Sequence, residues 1–293
     1  MINDDDPIEF VTVHKGHKVA TYSYGAGDNV LMLLNGGPGN PSIDIRKCFE
    51  PLANSALRIV SFDQLGTGRS DCPDDLSLWT IERYAEEVDM VRAQLGLDTM
   101  HVLGHSWGGM LAIEYAINNP HRVRSLILEG TVADMPHHDH ELRRLRLSLG
   151  PETETMMQRH EAEGTLDHPE YQAALTILHY RHVVRMDEPP ETLKYQFEND
   201  NKTIYQAMVG ENDFCRSGNL SVWSRLDDLP KIVCPTQIFV GEFDHLTPEC
   251  SRLIKEGIPQ SRLHVFRGCG HGPRREAVTE YREKMLEFLE GVT

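Results

Sequence analysis

Short apolar runs recur along the chain: VLMLL at 30–34, LRIVSF at 57–62, MHVLG at 100–104, SLILEG at 125–130, TQIFVG at 236–241 and LHVF at 263–266. They are β-branched or leucine-rich and nearly continuous, which is how strands buried on both faces of a parallel sheet read. Helical segments lie between several of them. In IERYAEEVDMVRAQLG at 81–96, Ile81, Tyr84, Val88, Val91 and Leu95 fall three and four apart and make one apolar stripe. Glu82, Glu86, Glu87 and Asp89 lie off that stripe, and Gly96 is a stop signal. Near the start, FVTVHKGHKVATYSY at 10–24 reads as two strands around Lys15-Gly16, an antiparallel hairpin. The expected fold is α/β, a mostly parallel sheet with helices on both faces.

The alternation lapses over 131–226. That stretch has no convincing strand, but it has helical pieces, ELRRLRLSL at 141–149 and YQAALTILHYRHVVR at 171–185, with a break at Pro189-Pro190. A helical insertion in an α/β core is expected to form a lid over the C-terminal strand ends, where ligands bind. The core is then 1–130 and 227–293, with the lid at 131–226, and 293 residues suit such a domain.

The formal net charge of -16 argues against nucleic-acid and anionic-membrane partners. No apolar run is long enough to span a bilayer. The start, MINDDDPIEF, lacks the apolar stretch of a secretory leader, so none is expected. None of the six cysteines forms a Cys-x-x-Cys pair, so neither a disulfide framework nor a zinc site is indicated. A cytoplasmic protein with reduced thiols is the expectation. HHDH at 137–140 reads as a solvated cluster, and no metal is expected there.

The chemistry centres on GHSWGG at 104–109, between the apolar run ending at Leu103 and the helical run MLAIEYAINN at 110–119. Gly-x-Ser-x-Gly at a strand–turn–helix junction is a nucleophile elbow, which makes Ser106 the candidate nucleophile. The helix behind it points its N-terminus at the site and favours developing negative charge. Asp244 follows the run at 236–241, and His271 follows the run at 263–266 within GCGHG. Each emerges at a strand's C-terminal end, on the same rim as Ser106. His271 is expected to take the serine proton, and Asp244 to orient the imidazole. In LLNGGPG at 33–39, Gly37 can offer one backbone N–H to an oxyanion, and Trp107 the other. No Gly-Lys-Ser/Thr follows GGPG, so a nucleotide is not expected. No cofactor is expected.

Together, NGGPG at 35–39, FDQLGTGRS at 62–70 and GHSWGG resemble the proline iminopeptidase family, serine aminopeptidases of the α/β-hydrolase fold. The resemblance covers nearly the whole chain. HPEYQAALTILHYRHVVR at 168–185 and VGENDF at 209–214 are similar to the tricorn-interacting aminopeptidase and amino-acid amidase branch. It implies a triad of Ser106, Asp244 and His271, an oxyanion donor at Gly37, and a mainly structural role for Asp63, Gln64 and Arg69 at the cleft floor. Two positions depart from the family. Asn35 stands where the family usually has histidine. Two glutamates bind the substrate amine in this branch; here their positions hold Asp213 and His245, with Glu211 or Glu242 the candidates to make up the missing anion. The resemblance implies cleavage of small aminoacyl amides, esters or short peptides through an acyl-enzyme on Ser106. The competing expectations are an esterase or lactonase, a pathway enzyme removing an aminoacyl group, and a non-catalytic binder on a hydrolase scaffold.

Overall fold

The structure is a computed structural model that describes residues 9–292. The acidic start, where no leader is expected, lies largely outside the described residues. The strands are β1 (Glu9–Thr12), β2 (Lys18–Tyr24), β3 (Asn29–Leu34), β4 (Leu57–Phe62), β5 (Met100–His105), β6 (Val123–Glu129), β7 (Gly210–Asn212), β8 (Cys215–Arg216), β9 (Thr236–Gly241) and β10 (Ser261–Phe266). Eight form one sheet in the order β1-β2-β4-β3-β5-β6-β9-β10. The first two junctions are antiparallel and all the others parallel, so the strands from β4 to β10 share one direction.

The helices are α1 (Ile43–Phe49), α2 (Ile81–Gln94), α3 (Trp107–Asn118), α4 (Met135–Leu147), α5 (Pro151–Glu163), α6 (Pro169–His182), α7 (Glu191–Glu198), α8 (Lys202–Met208), α9 (Pro248–Gly257), α10 (Pro273–Glu276) and α11 (Val278–Glu290). The two-residue period of a strand sends alternate side chains to opposite faces. Val30, Met32 and Leu34 of β3 therefore join the core formed with α2, α3 and α9, while Leu31 and Leu33 join the one formed with α1 and α11. Helices thus cover both faces, which explains why the strands read as continuous apolar runs. In α2, Ile81, Tyr84, Val88 and Val91 are buried as the stripe requires, and the Thr80 side chain accepts the Arg83 N–H at its start. Glu87 lies off the stripe yet is buried, because it pairs with Arg83 one turn away and accepts the Leu65 N–H at 3.0 Å.

Between β6 and β9 lie α4 to α8, with a third apolar cluster of their own built on Leu142, Met157, Tyr171, Leu178 and Phe214. The entry and exit of this segment are tied together: Met135 N–H donates to Trp223 O at 2.9 Å, and Arg225 N–H to Ala133 O at 2.8 Å. The segment also holds a strand pair that the apolar pattern does not show. β7 and β8 form an antiparallel ribbon too short for alternation to register. Among the described residues, no helix is long and apolar enough to cross a membrane.

Candidate active site

Ser106 stands between β5 and α3 with φ 57 and ψ -122, a left-handed conformation. A non-glycine residue there stores about 1–3 kcal/mol of strain. The surroundings hold it: Ser106 N–H donates to Glu129 O at 2.9 Å, and Thr131 Oγ1 donates to Ser106 O at 2.8 Å. The neighbouring glycines are needed for close approach. A Cβ on Gly108 would lie 2.0 Å from Leu34 O, and one on Gly104 2.2 Å from Gly108 O. β3, β5 and α3 can meet at this crossing only without side chains at those positions.

Asp244 follows β9 and His271 follows β10. His271 Nδ1 lies 2.9 Å from Asp244 Oδ1, which also accepts the Leu246 N–H at 2.8 Å. Both residues are buried. Burial would raise the Asp244 carboxyl, but the His271 and His245 imidazoles outweigh it and hold it below its ordinary value. Burial lowers the His271 pKa, although Asp244 opposes the shift. The His271 ring is flanked by His105, with centroids 4.6 Å apart, and by His245, at 4.4 Å. Gly130, just past β6, has φ +49, and a Cβ on it would come within 2.6 Å of Asp244 Oδ2 and 3.0 Å of His271 Nδ1. Nothing in the sequence around Gly130 marks it as a wall of the site.

The Gly36-Gly37 loop is braced from beneath. The buried Asn35 amide donates to Gly36 O at 2.9 Å and to Asn40 O at 2.8 Å, which accounts for an amide at this position. Gln64 Oε1 accepts the Trp107 indole N–H at 2.9 Å, and Gln64 Nε2 reaches Asn35 Oδ1 at 3.4 Å. Trp107 opens α3, so its backbone N–H has no intrahelical acceptor. Asp63 takes Ser42 N–H and Oγ on one oxygen, and the Tyr22 hydroxyl and Arg69 N–H on the other. Asp63 and Gln64 therefore act as struts. Arg69 is exposed, and its backbone N–H is one of the bonds to Asp63.

A cavity of about 450 Å³ opens over this constellation. Gly37, Ser106 and His271 line it, as do Asp213, His245 and Glu211, whereas Trp107 lines the adjoining recess and Asp244 lies behind His271. Glu242 does not line it; its carboxylate accepts the Gly268 N–H at 2.9 Å. Asp213 follows β7. The Tyr205 hydroxyl donates to its Oδ1, and His179 Nε2 lies 3.4 Å from its Oδ2. Burial would raise the Asp213 carboxyl, but His245, His179 and Tyr205 outweigh it and keep it below its ordinary value. His245 is buried, with Nδ1 3.4 Å from Asp244 Oδ1. Glu211 is exposed at the rim and accepts from Gln206 Nε2 at 3.1 Å.

A smaller recess of about 40 Å³ adjoins Ser106, lined by apolar side chains including Trp107, Met110, Val132, Met135, Leu220 and Leu246 and by the polar Tyr205, Asp213, Arg216 and His245. His138 also lines it, with its ring 6.1 Å from that of His245. This corrects the reading of 137–140 as wholly solvated. His138 points inward from α4 and is buried, and burial, reinforced by Arg216, pushes its pKa well below the usual value. His179 and Tyr205 likewise carry no sequence signal of their contact with Asp213. They lie 34 and 8 residues from Asp213 along the chain, on helices whose packing no local motif specifies.

A family model described as alpha/beta hydrolase fold matches residues 29–273. The chain is 36% identical over 273 residues to a proline iminopeptidase of Saccharolobus solfataricus, covering 92% of this chain and 88% of the relative. A crystal structure of proline iminopeptidase from Mycobacterium smegmatis matches with a TM-score of 0.88 at 31% identity, covering 97% of this chain and 98% of that one. The crystal structure of VinJ matches with a TM-score of 0.88 at 30% identity, over 98% and 100% of the two chains. The chain belongs to the α/β-hydrolase family and, within it, to the proline iminopeptidase family.

Proposed function

We propose that this chain is a serine aminopeptidase or amino-acid amidase that releases small N-terminal aminoacyl groups from amides, esters and short peptides. The observation that carries the reading is the anionic Asp213 carboxylate in the same cavity as Ser106 and His271. Ser106 Oγ attacks the substrate carbonyl carbon as His271 Nε2 takes its proton. Asp244 holds the imidazole through Nδ1 and stabilises its cationic form. The backbone N–H groups of Gly37 and Trp107 receive the oxyanion. Collapse passes the His271 proton to the leaving nitrogen and leaves the aminoacyl ester on Ser106, which water resolves by the same route. The segment 131–226 acts as a lid, since α6, α7, α8 and β7 supply much of the cavity wall. The recess beside Ser106 takes a small apolar acyl side chain.

Asp213 grips the substrate ammonium, and Glu211 adds negative potential at the rim. With His245 in place of a second anion, the preference for a free amine is relaxed. Asp213→Asn is expected to raise KM for free-amine substrates by about 10- to 100-fold, with less effect on N-blocked esters. His245→Glu is expected to strengthen the free-amine preference. An equal effect of Asp213→Asn on blocked and free substrates would remove the amine role from Asp213.

His271 works as a base only when neutral. Because burial depresses its pKa, the acid limb of kcat/KM is expected below the ordinary histidine value of 6.5. Activity is lost as pH falls through that limb, since protonation removes the base. Asp244→Asn deletes the carboxylate that favours the cation and moves the limb lower still. A pH–rate profile checks both, and a wild-type limb at or above 6.5 contradicts the first.

The activity itself is tested with alanyl, prolyl and leucyl p-nitroanilides and amides, alongside N-blocked esters, with fluorophosphonate labelling of Ser106. Hydrolysis of blocked esters without aminoacyl amides would favour an esterase. Failure to label would favour a non-catalytic scaffold.

A further inference from the structure

Arg275 lines the catalytic cavity from α10, four residues after His271 and on the same wall. Its guanidinium is tethered at one corner: Nη1 donates to Asp44 Oδ2, and Asp44 is fully buried. Asp44 is itself fixed by Arg274 Nη2 at 3.0 Å and by Thr192 Oγ1 at 3.0 Å. The Nε and Nη2 donors of Arg275 meet no acceptor among the described residues, in a side chain that is only 6% exposed and packs beside Gly272. The cavity therefore has at one corner a fixed guanidinium whose charge is shared with Asp44 and whose remaining donors are unpaired. Lys202 also lines it, but as an exposed side chain at the mouth.

The direction of the chemistry fixes what meets this corner. His271 must hand its proton to the leaving nitrogen, so the leaving group lies on the His271 side of Ser106. In a dipeptide, one carbon separates that nitrogen from the terminal carboxylate. Asp213 supplies the opposite charge in the same cavity. A planar guanidinium with two unpaired donors suits a carboxylate.

We propose that Arg275 binds the free carboxylate of the leaving amino acid, which makes zwitterionic dipeptides the preferred substrate class. The proposal rests on the aminopeptidase reading and deepens it. The test compares kcat/KM for a dipeptide, its C-terminal amide and the matching p-nitroanilide, in alanyl and prolyl series. In the wild type the dipeptide is expected to exceed its amide by about 10- to 100-fold. Arg275→Gln should bring that ratio toward one, whatever the absolute rate, while Lys202→Gln should preserve it. The wild-type comparison needs no variant to fold. A wild-type ratio of one or less overturns the proposal, as does a ratio that survives Arg275→Gln or disappears in Lys202→Gln. Turnover of anilide and amide with no gain for the dipeptide sinks the Arg275 assignment alone, whereas no turnover of any of the three overturns the aminopeptidase reading with it.

Discussion

Ser106→Ala is expected to lower kcat by at least about 10⁴-fold while the fold and its melting temperature stay close to wild type. The size of the loss follows from the division of labour in the site. In the proposed mechanism Asp244 and His271 move one proton, and without the Ser106 oxygen that proton has no nucleophile to come from. The oxyanion donors and the cavity remain, so a residual rate above that in water is expected. Stability should hold because the Ser106 side chain is only partly buried and anchors no other described side chain, while the bonds that pin residue 106 are made by its backbone to Glu129 and Thr131. Alanine meets the same left-handed backbone cost as serine at φ 57, so the strain is unchanged. Retention of more than a few percent of wild-type kcat in a clean preparation, or undiminished fluorophosphonate labelling, would remove Ser106 from the nucleophile role.

The parts of the site readable in the sequence are those that one strand end and the few residues after it specify. Gly104, Ser106 and Gly108 sit within five residues, and their spacing reports a steric crossing of β3, β5 and α3. Asp244 and His271 each follow an apolar run that is a strand, so their place on the rim came with the strand assignment. The runs themselves were readable because helices cover both faces of the sheet. What could not be read depends on pairings between distant segments. The Tyr205 and His179 contacts with Asp213 require α6, α8 and β7 to pack together, and nothing local encodes that. The inward turn of His138 is hidden for a related reason. A run of histidines looks polar, yet one helical turn of α4 sends neighbouring side chains to opposite sides, and this one faces the recess. The ion pairs beneath the site link residues 145 and 230 positions apart, and no spacing in the sequence pairs them.

Those ion pairs carry the largest expected effect on stability. Arg274 is buried between two buried carboxylates, with Nη1 2.7 Å from Glu129 Oε1 and Nη2 3.0 Å from Asp44 Oδ2. Burial opposes the Arg274 charge, but Glu129 and Asp44 outweigh it and raise the guanidinium pKa. Tyr281 completes the group by donating to Glu129 Oε2 at 2.8 Å, which ties α11 to β6 while Arg274 ties α10 to both β6 and α1. Arg274→Met keeps much of the side-chain volume and removes the cation. Removing one partner from a buried charge cluster costs about 3–5 kcal/mol, because the remaining charge has no water to turn to. A fall in melting temperature of order 10 °C is expected. The pH dependence gives the cause a signature. In the variant, burial raises the pKa of a stranded carboxylate above its unfolded value, so its contribution is intact below the unfolded value and is lost as pH rises through the folded one. The deficit of Arg274→Met should therefore be smaller near about pH 5 than near about pH 8. Replacing Glu129 by leucine in the same chain removes the stranded charge, since Asp44 keeps Arg275, and should recover part of the loss. Thermal or urea unfolding of the single and double variants at both pH values decides it: an equal deficit at the two pH values, with no recovery in the double variant, would mean that Arg274 stabilises the fold by packing and not by neutralising the charges beneath His271.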